Sequence, residues 1–215
     1  KRSIIFENND FIVLNKWSKI ATQGGSKIKI SIDHIIKNIN LQYRLVHRLD
    51  KETSGLLLIA KNLNSAKKLS SLFKQKEITK LYIALCEGCP KNNSSKVELE
   101  IKNKKLKTEN TLTNYKVLNK NKTISSILFN PQTGKTHQIR IVSKNLGCPI
   151  VGDIKYNIHS KYKKESLMLH AFAFKFTINK KKYEFVLNLP DYFLNFIKKN
   201  NLKINKDLKN YLNIF

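Results

Sequence analysis

Hydrophobic and polar positions change period several times along the chain, and each change marks an element. Residues 4 to 16 read as two short strands around Asn8-Asn9-Asp10, whose side chains suit a turn. Ile32, Ile35, Ile36 and Ile39 recur at helical spacing, with Ser31 or Asp33 near the start as a cap. Leu56 to Ala60 is an unbroken apolar run, the pattern of a strand buried on both faces. Ala66, Leu69, Leu72 and Phe73 predict a second helix whose other face carries Lys67, Lys68 and Lys74. Leu81 to Cys86 predicts a strand, Val97, Leu99 and Ile101 alternate, and further strand patterns cover about 112 to 118 and 123 to 129.

Asn130-Pro131-Gln132-Thr133-Gly134 predicts a turn, after which Thr136 is placed to cap a helix. In that helix Ile139, Val142 and Leu146 have core spacing, Gln138 and Arg140 fall off the stripe, and Gly147 ends it. Met168 to Ile178 and Tyr183 to Leu189 predict a hairpin around Asn179-Lys180-Lys181-Lys182. Asp191 to Lys199 predicts a short helix, and Leu208 with Tyr211 or Leu212 a last, loosely packed one. Strands outnumber helices and run in hairpin order, which predicts an α+β fold with a mixed, mainly antiparallel sheet. Without repeats or a shift in composition, residues 1–215 read as one domain.

A chain of 215 residues can bury a sizeable core. Its longest apolar runs fall far short of the roughly 20 residues that span a bilayer, and the N-terminus lacks a signal-peptide pattern. The expectation is a soluble, cytoplasmic protein of a bacterium or an organellar matrix.

Charge sharpens the picture. Lys and Arg number 41 against 15 Asp and Glu, a net charge of +26, which points to a polyanionic partner. Abundant Lys, Asn and Ile suggest an AT-rich coding bias, but such a bias does not push acidic residues this low. Arginine is scarce: Arg2, Arg44, Arg48 and Arg140. The last three lie in or beside the densest polar stretches, where a planar two-toothed donor would be needed.

Cys86 and Cys89 have metal-site spacing, but no second pair or histidine partner follows, so thiols in a reducing compartment are expected and no metal. Thr22-Gln23-Gly24-Gly25-Ser26 is a flexible loop without the lysine ending of a phosphate-cradling one.

The densest chemistry is His47-Arg48-Leu49-Asp50-Lys51-Glu52-Thr53-Ser54-Gly55, a polar loop leading into the apolar run. A reactive side chain there is anchored by the buried strand beside it. Asp50 is the candidate, unless it only caps the turn or pairs with Arg48 or Lys51.

His-Arg-Leu-Asp-x-x-Thr-Ser-Gly followed by an apolar strand resembles the motif of the RluA-type pseudouridine synthases, and most closely the RluC-like branch. Four more stretches follow in that family's order: Lys80 to Leu85, Thr133 to Arg140, Gly147 to Asp153, and Leu169-His170-Ala171. The resemblance implies a long bent sheet with an RNA cleft across its middle and isomerisation of uridine to pseudouridine without cofactor or metal. It makes Asp50 the essential carboxylate, Arg140 its positive partner, and Tyr82 the ring that stacks on the base. Arg48 would help turn out the target nucleotide, and Ile139 or Ile141 would form an apolar floor. His47, Thr53, Lys135 and His137 complete the expected substrate contacts, with His170 an orienting group at the edge.

Three positions depart from the family pattern: Trp17 stands where Pro is usual, Lys135 where Arg is, and Val142-Ser143 where Val-His is. An S4-type RNA-binding domain usual in that branch is expected to be missing from this chain. The implied partner is large-subunit (23S) ribosomal RNA, and a monomer is expected. A non-catalytic RNA-binding module is the rival reading. A glycoside hydrolase is more distant, since it needs a second flanking carboxylate that cannot be nominated.

Overall fold

The computed structural model describes residues 3–25, 28–102, 106–205 and 207–215. Ser26 of the glycine loop, and Lys104 and Lys105 of a lysine-rich stretch (102–107) expected to be a solvated loop that RNA could touch, fall outside them. The strands are β1 (Ile4–Glu7), β2 (Phe11–Lys16), β3 (Arg44–Leu45), β4 (Ser54–Ala60), β5 (Thr79–Glu87), β6 (Ser94–Lys102), β7 (Thr108–Lys120), β8 (Ile124–Pro131), β9 (Leu169–Ile178) and β10 (Lys181–Val186). The helices are α1 (Ile32–Ile39), α2 (Leu63–Gln75), α3 (Gln138–Asn145) and α4 (Asp191–Lys199), with a final 3-10 turn at Leu208–Tyr211.

The backbone forms two compact units, Lys1–Thr79 with Phe174–Leu187, and Lys80–Ala173 with Asn188–Phe215. Two of the crossings fall inside β5 and β9 rather than in a Gly- or Pro-rich linker, which is why composition carries no trace of them.

In the first unit the strand order is β1-β2-β4-β9, with β3 also on β4 and β10 on β9. The β2–β4 pairing is antiparallel from Phe11 opposite Ala60 to Lys16 opposite Gly55. Every residue of β4 is buried. Leu56, Leu58 and Ala60 meet Phe11 and Val13 of β2, Ala66 and Leu69 of α2, and Phe174 and Phe176 of β9 in one apolar cluster. The β9–β10 turn is tighter than the pattern suggests: Asn179 and Lys180 alone make it, both with positive φ, as a two-residue hairpin turn requires. Helix α1 is capped by Ser31, whose hydroxyl accepts from the His34 amide, and α2 by Asn62, which accepts from the Ser65 amide.

In the second unit β9-β5-β8-β7-β6 follow in order. β5–β8, β8–β7 and β7–β6 pair antiparallel. β7 is longer than its apolar alternation shows, because its ends (Thr108 to Thr111, Asn119 to Lys120) are polar yet fully paired with β6 or β8. Asn130 and Pro131, expected in a turn, are the buried end of β8. The closing 3-10 turn packs more firmly than expected, with Leu208 buried.

Candidate active site

Asp50 stands half-buried within the loop between β3 and β4, whose two sides are pinned by the last residue of β2 and by residues of the β2–α1 connection. Thr22, buried, donates its hydroxyl to the Leu49 carbonyl (2.7 Å) and accepts from the Leu49 amide (3.2 Å). Lys16, 2% exposed, donates from Nζ to the carbonyls of Trp17 (3.0 Å), Ile20 (2.9 Å) and Lys51 (3.2 Å). Ser18 donates to the Glu52 carbonyl (2.7 Å), and the Thr53 amide to that of Asp50 (3.1 Å). The residues on both sides of Asp50 are thus fixed by side chains, which is what a reactive carboxylate on a loop needs.

Burial lowers the Lys16 ammonium from 10.5 to about 8, against the pull of the Glu52 and then the Asp50 carboxylate. A buried ammonium is tolerated here because backbone carbonyls accept its protons. Lys16, Ser18 and Thr22 were not foreseen as supports; their only trace is polar character directly after an apolar strand.

His47 is part of the scaffold. Its Nε2 accepts the Leu58 amide at 2.8 Å, just past the point where β3 stops pairing with β4 at Leu45 opposite Ile59. The imidazole therefore carries on the ladder that the backbone leaves, and its ring stacks on Phe73 at 4.5 Å. Thr53 is buried, and its hydroxyl is enclosed without a hydrogen-bond partner among the described residues. Arg48 is exposed on the loop.

The other expected residues lie in the second unit. Tyr82 is half-buried on β5, opposite Phe129 of β8. Helix α3 does not begin as expected: its N-cap is His137 in a left-handed conformation with no side-chain cap, and Thr136 is not used. Gln138 and Arg140 are off the apolar stripe yet both buried. Gln138 spends its amide on the surrounding loop and strand, accepting from the Thr133 hydroxyl (2.8 Å) and the Lys135 amide (3.0 Å). It donates to the Leu112 carbonyl (3.1 Å) and the Thr113 hydroxyl (3.0 Å). Lys135 reaches Glu109 at 3.0 Å.

Arg140 is gripped by a carboxylate that the motif reading did not name as a site residue. Its Nε and an Nη donate to the two oxygens of Asp153 at 2.7 and 2.8 Å. The same carboxylate accepts the amides of Lys155 (3.1 Å) and Tyr156 (3.0 Å). The guanidinium carbon lies 5.1 Å from the Tyr156 ring centre, and the Tyr156 hydroxyl meets His137 Nδ1 at 2.9 Å. Two parallel bonds and a ring fix the plane of the guanidinium, so any other acceptor must be served from its remaining N–H groups. Ile139 is buried and Ile141 half-exposed.

His170 is buried, and burial pushes its imidazole from 6.5 down to about 3, keeping it neutral. Cys86, Cys89 and Cys148 are free thiols, and burial pushes Cys86 well up. Among the described residues no group of three or more His, Cys, Asp or Glu is arranged to hold a metal, and no helix is long and apolar enough to cross a membrane.

This architecture has close counterparts. A description of the RNA pseudouridylate synthase family matches residues 10–145. The chain is 41% identical over 212 residues to ribosomal large subunit pseudouridine synthase C of Rickettsia prowazekii, covering 88% of this chain and 69% of that protein. It is 44% identical over 188 residues to the protein of the same name from Rickettsia felis, covering 78% and 60%. The chain therefore spans between 60% and 69% of the length of these relatives. Its fold matches human RNA pseudouridylate synthase domain containing 4, with a TM-score of 0.84 at 23% identity over 94% of each chain. The chain belongs to the RNA pseudouridylate synthase family.

Proposed function

We propose that the chain isomerises specific uridines to pseudouridine in large-subunit (23S) ribosomal RNA, with Asp50 as the essential group and no cofactor. The observation that carries this reading is the pinned Asp50 loop: Thr22, Lys16 and Ser18 hold Leu49, Lys51 and Glu52 by their backbones. A binding module has no need to immobilise a carboxylate where phosphates will lie. The ribosomal assignment rests on the names of the Rickettsia relatives, and the charge of +26 suits a long RNA.

In the reaction the bond between ribose C1′ and uracil N1 breaks, the base turns, and C1′ joins C5; N1 gains a proton and C5 loses one. The Asp50 carboxylate either attacks C1′ or takes a proton from C2′; both act on the sugar and leave the base free to turn. Tyr82 stacks on the uracil and is the candidate to receive the C5 proton. Arg140, whose plane Asp153 holds, is the positive partner that the family resemblance gives the Asp50 carboxylate, and such a charge would keep the carboxylate ionised. Arg48, exposed beside Asp50, fills the place of the extruded nucleotide, and Ile141 lies against the base. Lys135 and His137 contact the RNA, and the chain acts as a monomer in the cytoplasm.

The test is tritium release from uridine labelled at C5 in unmodified 23S RNA, comparing the native chain with Asp50→Asn. Release by the native chain and none by the variant is expected. Equal release by both would remove Asp50 from the centre, and no release by a chain that still binds the RNA would leave the binding-module reading.

A further inference from the structure

Trp17 is the chain's only tryptophan and is 55% exposed. Most other exposed large apolar residues are aliphatic. Among the described residues no second ring is in contact with Trp17 and no cation lies over it. An indole left in water this way is costly unless something covers it.

Its mounting is rigid. The Trp17 carbonyl accepts Lys16 Nζ at 3.0 Å, and the same ammonium holds the Lys51 carbonyl at 3.2 Å. The next residue, Ser18, holds the Glu52 carbonyl at 2.7 Å. The backbone that carries the ring is thereby tied to the two residues that follow Asp50. Lys19 and Lys51, both exposed, stand beside it in the chain and on that loop.

We propose that Trp17 is a stacking platform for an unpaired base of the RNA beside the target uridine. An exposed ring flanked by lysines is the arrangement by which single-stranded nucleic acid is gripped: cations follow the backbone and the π-face takes a base. Stacking of this kind tolerates any base, so Trp17 adds grip at the site without reading sequence. A lipid or protein surface would be matched less well by an aromatic ring among lysines in a chain of charge +26. The inference rests on the proposed action on RNA, and its test separates the two.

With a single tryptophan, intrinsic fluorescence reports Trp17 alone. The 215-residue chain would be titrated with an oligoribonucleotide carrying an unpaired uridine and its neighbours. Binding is followed in parallel by anisotropy of a labelled copy, and turnover by tritium release. Saturable quenching with the same midpoint as the anisotropy is expected. Trp17→Ala should weaken binding roughly 5- to 150-fold, and Trp17→Phe by no more than about threefold. Unchanged melting temperatures in both variants would show that folding is not the cause.

Binding with unchanged fluorescence and an equally tight Trp17→Ala variant would overturn the stacking role while leaving isomerisation intact if tritium is still released. Quenching without tritium release would keep the platform and sink the isomerase. No RNA binding at all would remove both. Quenching by anionic vesicles or by protein, but not by RNA, would reassign the surface and overturn the proposal.

Discussion

Thr22 Oγ1 closes on both backbone groups of Leu49, donating to its carbonyl at 2.7 Å and accepting from its amide at 3.2 Å. One hydroxyl thus stands in for a strand partner at the residue before Asp50, in a place where Thr22 and Leu49 are both buried. Thr22→Val keeps the shape and deletes both bonds. Each buried backbone group left unpaired costs about 1–3 kcal/mol, so the two together predict a loss of about 2–6 kcal/mol in thermal unfolding. Turnover should fall at least tenfold with RNA affinity little changed, because the carboxylate is misplaced rather than lost. Thr22→Ser, which keeps the hydroxyl, should restore most of both.

Lys16 gives the folded chain a slope with pH that runs in a definite direction. Its folded pKa, about 8, lies below the ordinary 10.5. Between those values the unfolded chain holds the proton and the folded chain has released it, so this group's contribution to stability rises with pH across the window. The whole rise is on the order of 3 kcal/mol. Lys16→Met strips the donors from three carbonyls and should cost about 2 kcal/mol or more at pH 7. The gap between native and variant should then widen from pH 8 to 10.5 in chemical unfolding. A constant gap would mean that the ammonium does not titrate there.

Asp153 and Arg140 form a buried bidentate pair at 2.7 and 2.8 Å. Asp153→Asn would remove the charge that grips a buried guanidinium, and breaking such a pair from one side costs about 3–5 kcal/mol. Arg140→Lys should lose a similar part, since an ammonium cannot reproduce the fork. If Asp153 acts by orienting Arg140, the turnover of Asp153→Asn should fall further than its RNA affinity. Equal falls would make the pair a structural one.

Gly152 places Asp153. Its φ is +75, and a Cβ there would collide with the Ser166 carbonyl oxygen. Neither the conformation nor the space admits a side chain. Gly152→Ala should therefore lower stability by at least about 2 kcal/mol, and it should reduce turnover along with it as the Asp153 carboxylate moves. Melting temperature and tritium release measured on the same preparation check both.

How much of this was legible depended on what holds each part. The apolar run Leu56 to Ala60, the start of α1 at Ser31 or Asp33 and the span of α4 follow from periodicity and capping chemistry; the structure has the run inside β4, selects Ser31 as the cap and keeps the bounds of α4. Asp50, Tyr82 and Arg140 could be nominated from motif order. Their supports could not. Thr22, Lys16 and Asp153 act through bonds to backbone or to a residue on a different element, and such contacts leave no period in the sequence. The same reason explains why Gln138 and Arg140, polar and off the stripe, are buried: side-chain networks satisfied them where periodicity expects solvent. Helix α3 starts late because His137 takes a left-handed conformation, a preference that a Thr-His pair does not announce.

His170 makes the fold sensitive to acid. Its folded pKa, about 3, lies below the ordinary 6.5, driven by burial. Below pH 6.5 the unfolded chain takes a proton that the folded chain refuses, so stability falls as pH drops toward 3. At pH 4.5 the loss from this group alone is about 3 kcal/mol. His170→Phe cannot titrate; it costs stability at pH 7 by disturbing a packed site beside Phe193, but it is spared the acid loss. The difference in unfolding free energy between native and variant should therefore shrink by about 3 kcal/mol from pH 7 to 4.5. An unchanged difference would show that His170 protonates in the folded chain, and that water reaches the end of β9 where the structure has it buried.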